Sequence, residues 1–474
     1  MKKKIFKLSL LSLFLAYNTS FAQVSWSKVD AGGEFSAAIQ SDGTLWTWGF
    51  NDNGQLGNGT TTQSNSPIQL GEDTDWTELS TGTMHVLAIK TDGTLWGWGL
   101  NSSGQLGLGN TMDQLVPTQI GLDTDWDIIA TGLAHSLAIK TDGTLWGWGW
   151  GAFGQVGNNN TLDVLVPTQV GTDSTWVSLD AGGRHSGAIK ANGSLWMWGA
   201  ADKGQLGNGT SVTRLEPYQT GIDTTWSDVR TGYEFSLGLK NDGTLWSWGF
   251  SANGQTGQGT TININITTQI GTDTTWSKIA ASSIFGFGIK TDSTLYGWGD
   301  NVMGQLGTGG NTQENSPVQV GSDSNWEMIS ASEGIVGDAT VIGMHSLGKK
   351  SANDGICASG ANDMGQLGIF SNTSIDEFDC SVGELVLDVD ELVGNEGFEL
   401  IKQTNSNYLL NRLDDNINEV EITLVNVSGQ VLWTKSMETA SELINLNNYP
   451  SGLFFLLVKS TNGTTSFNLT GTRH

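Results

Sequence analysis

Apolar and polar positions along most of this chain alternate every second residue, in runs of five or six. Trp76-Thr-Glu-Leu-Ser80, His85-Val-Leu-Ala-Ile-Lys90 and Thr94-Leu-Trp-Gly-Trp-Gly99 are three such runs in one stretch. Alternation of this kind predicts short, half-buried strands, and no segment shows the period of an amphipathic helix. Thr91-Asp92-Gly93 separates the second run from the third, and Asp-Gly supplies the positive φ that a tight hairpin needs. Gly104-Gln-Leu-Gly107 then opens a longer loop, and Pro117-Thr-Gln-Ile120 closes the unit as a short fourth strand.

The unit repeats. Gly-Gln-x-Gly begins at Gly54, Gly104, Gly154, Gly204, Gly254 and Gly304, 50 residues apart each time, and once more at Gly365. Trp26, Trp76, Trp126, Trp176, Trp226, Trp276 and Trp326 keep the same step, and residues 87–99 and 137–149 are identical. A period of this size means a solenoid or a propeller. Four antiparallel strands per repeat, seven times over, select the propeller: an all-β, seven-bladed ring.

Composition narrows the function classes. Gly is 65 of 474 residues without a Gly-X-Y period, so collagen is excluded. Twenty Trp demand a folded core. The 22 Lys and Arg against 48 Asp and Glu leave no basic footprint for a nucleic acid. No nucleophile elbow, phosphate loop or HExxH motif occurs, and nothing calls for a cofactor or a metal. Residues 1–22 read as a signal peptide: Lys2, Lys3, Lys4 and Lys7 precede an apolar run over 5–16, and Ser20-Phe21-Ala22 is a cleavage signal that leaves Gln23 first. The mature chain then has no transmembrane segment.

The run G-x-x-H-S-L-A-I-K-x-D-G-T-L-W-x-W-G-x-N-x-x-G-Q-L-G, almost complete at 132–157, resembles the regulator of chromosome condensation repeat family. The resemblance covers about residues 24–380 and implies a seven-bladed propeller over 23–381. The seventh copy departs, with extra residues near 333–342, a longer hairpin over 349–355, and Cys357 and Ser359 in place of Trp-x-Trp. A plant ultraviolet receptor of similar sequence uses a Trp where this chain has Thr83, Leu133, Gly183, Tyr233 and Ser283, which argues against light sensing.

Several residues invite a chemical role. His85, His135, His185 and His345 share one repeat position with Phe35, Phe235 and Phe285, and a metal ring would not tolerate the three Phe. We read these His as making structural hydrogen bonds to backbone. Asp73, Asp123, Asp173, Asp223, Asp273 and Asp323 precede each blade Trp by three and are read as turn-forming residues, in preference to calcium binding with neighbours such as Asp75 and Asp125. Cys357 and Cys380 are either one disulfide of an exported protein or two buried thiols.

Antiparallel order puts the loops after the first and third strands on one face. That face varies between copies, and its residues Glu34, Phe50, Met84, Leu100, Trp150, Arg184, Arg214, Glu234 and Phe250 are the candidate binding set.

After an acidic linker over 382–397, residues 398–474 read as a small sandwich of about seven strands. The V-x-N-x-x-G-Q core and the Y-P-S-G-L-F-F-L-x-V-K run resemble the C-terminal sorting domain of type IX secretion substrates. That resemblance implies dealings with the secretion machinery and release from, or attachment to, the surface of a Gram-negative cell. The expected function is a non-enzymatic module that binds an extracellular protein or glycan. Two alternatives stay open: an inhibitor similar to β-lactamase inhibitory protein II, and a polysaccharide-acting enzyme with a carboxylate pair. Nucleotide exchange on a small GTPase, the activity of nuclear family members, does not suit an exported chain.

Overall fold

The computed structural model describes residues 25–332, 334, 344–351, 355–382, 398–404, 407–412, 420–426, 431–437, 441–446, 452–460 and 463–471. The predicted signal peptide with Ala22 and Gln23, the linker over 383–397, nearly all of the seventh copy's extra stretch and the tip of its longer hairpin lie outside the described residues.

Seven antiparallel sheets of four consecutive strands follow one another, over 26–69, 76–119, 126–169, 176–219, 226–269, 276–319 and 326–382. In blade 2 the strands are Trp76–Thr81, His85–Lys90, Leu95–Gly99 and Gln114–Gln119. The fourth strand starts before Pro117 because Gly99 already pairs with Gln114 across a register shift. The hairpin turns as its sequence predicts. Asp92 Oδ1 accepts the Thr94 N–H at 3.0 Å and the Thr94 hydroxyl at 2.7 Å, and Trp96 Nε1 donates to that hydroxyl at 2.9 Å. Gly93 holds φ +77, and a Cβ there would stand 2.1 Å from the Thr124 carbonyl oxygen.

The Gly-Gln-x-Gly loop clamps each blade to the next. Trp98 is fully buried, and its Nε1 donates across the junction to the Gln55 carbonyl at 3.0 Å. Gly57 lets the loop approach that indole, since a Cβ there would lie 2.9 Å from it. Trp148, Trp198, Trp248 and Trp298 repeat the bond, and Trp48 closes the ring on Gln366 at 2.8 Å. At the junction of blades 6 and 7 the Trp is missing. There Ser359 Oγ donates to the Gln305 carbonyl, while Phe378 fills the space against Gly307 and packs 4.9 Å from Trp326.

The recurrent His residues bond to serines of the following blade. His85, His135, His185 and His345 place Nε2 2.8–3.1 Å from Ser136, Ser186, Ser236 and Ser36. The expectation of a backbone partner is therefore corrected. The Asp three before each blade Trp does form turns, as Asp173 does with Thr175, but it also holds a lysine. Lys90, Lys140, Lys190, Lys240, Lys290 and Lys350 bond Asp73, Asp123, Asp173, Asp223, Asp273 and Asp323 and sit over the blade Trp rings. Asp75 and Asp125 serve the same lysines.

First strands of neighbouring blades touch around the whole ring, blade 7 against blade 1 included, and line a central channel. In the C-terminal part, strands Phe398–Thr404, Asn407–Arg412 and Ser441–Asn445 form one sheet. Val431–Ser436, Glu421–Asn426, Gly452–Ser460 and Gly463–Gly471 form another, in that spatial order. Leu410 and Ile444 of the first share a buried core with Ile422, Leu424, Leu456 and Val458 of the second, so the sheets pack as a sandwich.

Candidate functional site

The two variable loops of each blade meet through a backbone bond. Each third strand ends on a glycine at positive φ, such as Gly99 at +95, and the bend carries the next N–H to the loop after the first strand. Phe50 N–H donates to the Glu34 carbonyl, Leu100 to Met84, Trp150 to Ala134, Ala200 to Arg184 and Phe250 to Glu234, all at 2.8–2.9 Å. The sequence-predicted pairs are thus neighbours on one face. Glu34, Phe50, Met84, Leu100, Trp150, Arg184 and Phe250 are half-buried, whereas Ile284, Asp300, Met344 and Ala361 of blades 6 and 7 are buried. At these two positions side chains therefore reach the surface on blades 1 to 5, while on blade 6 the neighbouring Val302 and Met303 are exposed.

One sector of this face is built more densely. Arg184 of blade 4 forms an ion pair with Glu234 of blade 5. Its guanidinium lies 5.1 Å from the Phe153 ring and 5.4 Å from the Tyr233 ring. Trp150 meets Phe153 edge-on at 5.2 Å. Lys203 reaches over Phe250 at 5.8 Å. Burial pushes the Glu234 carboxyl up, and Arg184 pulls it back down. Glu34 is pushed up by burial and by the nearby charge of Asp363.

Sequence reasoning missed Phe153 and Lys203. They stand just before Gly-Gln-x-Gly, where the copies read Asn53, Ser103, Phe153, Lys203, Asn253, Met303 and Met364, so their variation was visible. Arg214 does not join the cluster. It sits on the outermost strand of blade 4, with its guanidinium 4.0 Å from the Tyr218 ring. Cys357 and Cys380 form a disulfide between the third and fourth strands of blade 7.

The channel is the other polar feature. Thr83, Leu133, Gly183, Tyr233, Ser283 and Gly334 narrow its mouth, at the positions compared with the receptor Trp. Beyond them a cavity of about 230 Å³ is lined by Asp30, Ser80, Thr131, Asp180, Arg230 and Ser330, among others. Arg230 lies 3.5 Å from Asp180 and 3.2 Å from Asp228. Asp180 accepts the Thr231 N–H and hydroxyl, and Asp30 accepts the Thr81 N–H and the Ser330 hydroxyl. Burial raises all three carboxyls above the usual range. These acids are held by the protein's own donors. Among the described residues, no three His, Cys, Asp or Glu side chains converge to hold a metal ion.

The sequence matches the family model of the RCC1-like domain over residues 15–276 and that of the RCC1 repeat over 292–336. It matches the secretion system C-terminal sorting domain over 405–469. No curated protein matches it significantly. Among solved structures, human WBSCR16 is similar with a TM-score of 0.62 at 20% identity, over 71% of this chain and 93% of that one. Prp20p from Saccharomyces cerevisiae gives 0.58 at 19%, over 65% and 80%. Yeast RCC1 (Prp20), solved with Kap60, gives 0.61 at 17%, over 85% and 94%. At such identities the likeness shows a shared fold.

Proposed function

We propose that this chain, which belongs to the RCC1-like domain family and is a secreted propeller protein by its sorting domain, is a non-enzymatic module that binds an extracellular protein through the variable face of blades 3 to 5. One observation carries the reading: Arg184 is held between two aromatic rings and paired with Glu234, beside Trp150 and Phe250. Trp, Tyr and Arg fixed in place are the side chains that dominate protein interfaces, because they bury much area at little further entropic loss. The channel carboxylates already accept protein donors, which weighs against their serving as an acid–base pair.

The test immobilises the full chain and exposes it to surface and medium proteins of the producing cell. Wild type is expected to retain a discrete protein, and Arg184→Glu, shown to be folded by its circular dichroism and cooperative melting, to lose it. Equal retention by the variant, or hydrolysis of a surface polysaccharide by the wild type, would overturn the reading.

A further inference from the structure

Between the outer edges of blades 3 and 4 lies an open cleft of about 560 Å³, within the size range of small-molecule sites. Its walls include Asn158, Asn159 and Asn160 from the loop of blade 3, and Trp176, Trp196 and Glu216 from blade 4.

This junction differs from its neighbours in two places at once. At four other junctions a glycine at positive φ faces the fourth strand of the next blade: Gly59 lies against Val116, Gly109 against Val166, Gly209 against Ile266 and Gly259 against Ser316; where blade 7 meets blade 1, Phe370 holds that place at φ 56. Gly309 faces Glu377, so one junction has the acid with the glycine retained. At the junction of blades 3 and 4 the glycine is replaced by Asn159, still at φ 64, and Glu216 takes the place of Val166. The backbone contact is kept: Asn159 N–H donates to the Leu215 carbonyl at 2.9 Å, as Gly109 does to Leu165 at 2.8 Å. The left-handed backbone disfavours most side chains, and Asn tolerates it best after glycine. The fold therefore does not require either polar group.

The remaining chemistry of the cleft is specific. Asn158 Oδ1 accepts the Asn160 N–H at 3.3 Å, and Asn160 Oδ1 accepts the Leu162 N–H at 2.8 Å. With their oxygens so engaged, both amides are left with NH₂ groups as donors at the cleft they line. The exposed Glu216 forms no ion pair among the described residues. Lys190 is committed to Asp173 at 2.6 Å and lies 3.7 Å from the Trp196 ring centre. Trp196 is half-buried, and its Nε1 donates to Ser194.

An indole, amide donors, an acceptor carboxylate and no cation among the lining residues suit one ligand class. We propose that this cleft binds a neutral pyranose sugar unit. The apolar C–H face of the ring packs on Trp196, hydroxyls donate to Glu216, and hydroxyl oxygens accept from the NH₂ groups of all three lining asparagines, Asn159 included. A phosphate or sulfate would meet the Glu216 charge with no cation among the lining residues to offset it. The cleft uses none of the face residues assigned to the protein partner.

The full chain is titrated with glucose, galactose, mannose, N-acetylglucosamine and their disaccharides, with inorganic phosphate as control, by calorimetry and Trp fluorescence. Asn159→Gly and Glu216→Val copy the neighbouring junctions, so the fold accommodates both. At least one sugar is expected to bind, phosphate is not, and each variant is expected to weaken binding about tenfold with Tm unchanged. Absence of binding across the panel, phosphate binding as tight as sugar, or unweakened sugar binding in both variants would overturn the proposal. Such a failure leaves the protein-binding face standing, because its test reads Arg184.

Discussion

His345 and Ser36 are 309 residues apart in sequence, and their Nε2 and Oγ atoms lie 2.8 Å apart where blade 7 meets blade 1. Ser36 Oγ also donates to the Gln366 carbonyl at 2.8 Å. A hydroxyl has one proton, so Nε2–H must donate to Ser36, which fixes the neutral tautomer. The pair is written into the sequence twice over. His85, His135 and His185 each face a Ser in the next blade, whereas Phe35 is followed by Val86 and Phe235 by Gly286; Phe285 alone is followed by a serine, Ser346, whose hydroxyl donates to the Gln305 carbonyl.

Replacing His345→Phe removes the Nε2–H bond to Ser36, whose hydroxyl keeps its bond to the Gln366 carbonyl, and is expected to destabilise the fold by about 1 kcal/mol. Adding Ser36→Val recreates the Phe35 and Val86 junction, so the double variant should be more stable than the sum of the single losses. Denaturant unfolding in a double-mutant cycle measures the coupling, and strict additivity would contradict it.

Burial lowers His85, His135, His185 and His345 to about 3, from an ordinary value of 6.5. The folded value is depressed, so the unfolded chain takes up protons first. The stability these residues contribute is whole above pH 6.5 and is lost as pH falls towards 3. At pH 5 each loses about 2 kcal/mol. The raised channel carboxyls Asp30, Asp180 and Asp228 work in the opposite direction over the acid range. Tm should fall from pH 7 to pH 5, and more shallowly in the His345→Phe, Ser36→Val variant.

Arg230 is the cation in contact with Asp180 and Asp228. Arg230→Met should destabilise the protein at pH 7 by about 1–2 kcal/mol, less than for a dry site because 38% of the side chain is open to channel solvent. The loss should shrink at low pH, where the two carboxyls accept protons. Thermal unfolding followed from pH 7 down through the acid range checks the sign, and a loss that stays equal throughout would contradict the charge argument.

The disulfide between Cys357 and Cys380 spans 23 residues in the irregular blade. Closing a loop of that length removes about 3 kcal/mol of unfolded-state freedom. Reduction, or Cys357→Ala with Cys380→Ala, should lower Tm, and protease should cut first in blade 7. Unchanged Tm after complete reduction would contradict this.

The fold was legible because every blade repeats one recipe: Trp, Asp-Gly and Gly-Gln-x-Gly report strand, turn and clamp at fixed spacing. What escaped was contact between repeats. His85 and Ser136 differ by 51 positions, one more than the repeat, so their partnership shows only when two blades are read together. Lys90 was read as the end of a strand, although its match to Asp73 recurs around the ring. The face was legible as variation, but not its density: Phe153 and Tyr233 matter because Arg184 lies between them. Arg214 looked equivalent to Arg184 by residue type, yet its strand holds it at the outer edge.

The most direct test of the central claim is site-directed crosslinking of the full chain on the producing cell. Photoreactive residues are placed at Leu100 and at the exposed Asp202, next to Lys203, on the variable face, and at Asp92 and Asp242 on the opposite hairpins. The account predicts one protein adduct from Leu100 or Asp202 that disappears in the folded Arg184→Glu variant. Adducts confined to Asp92 and Asp242, or adducts unaffected by Arg184→Glu, would contradict it.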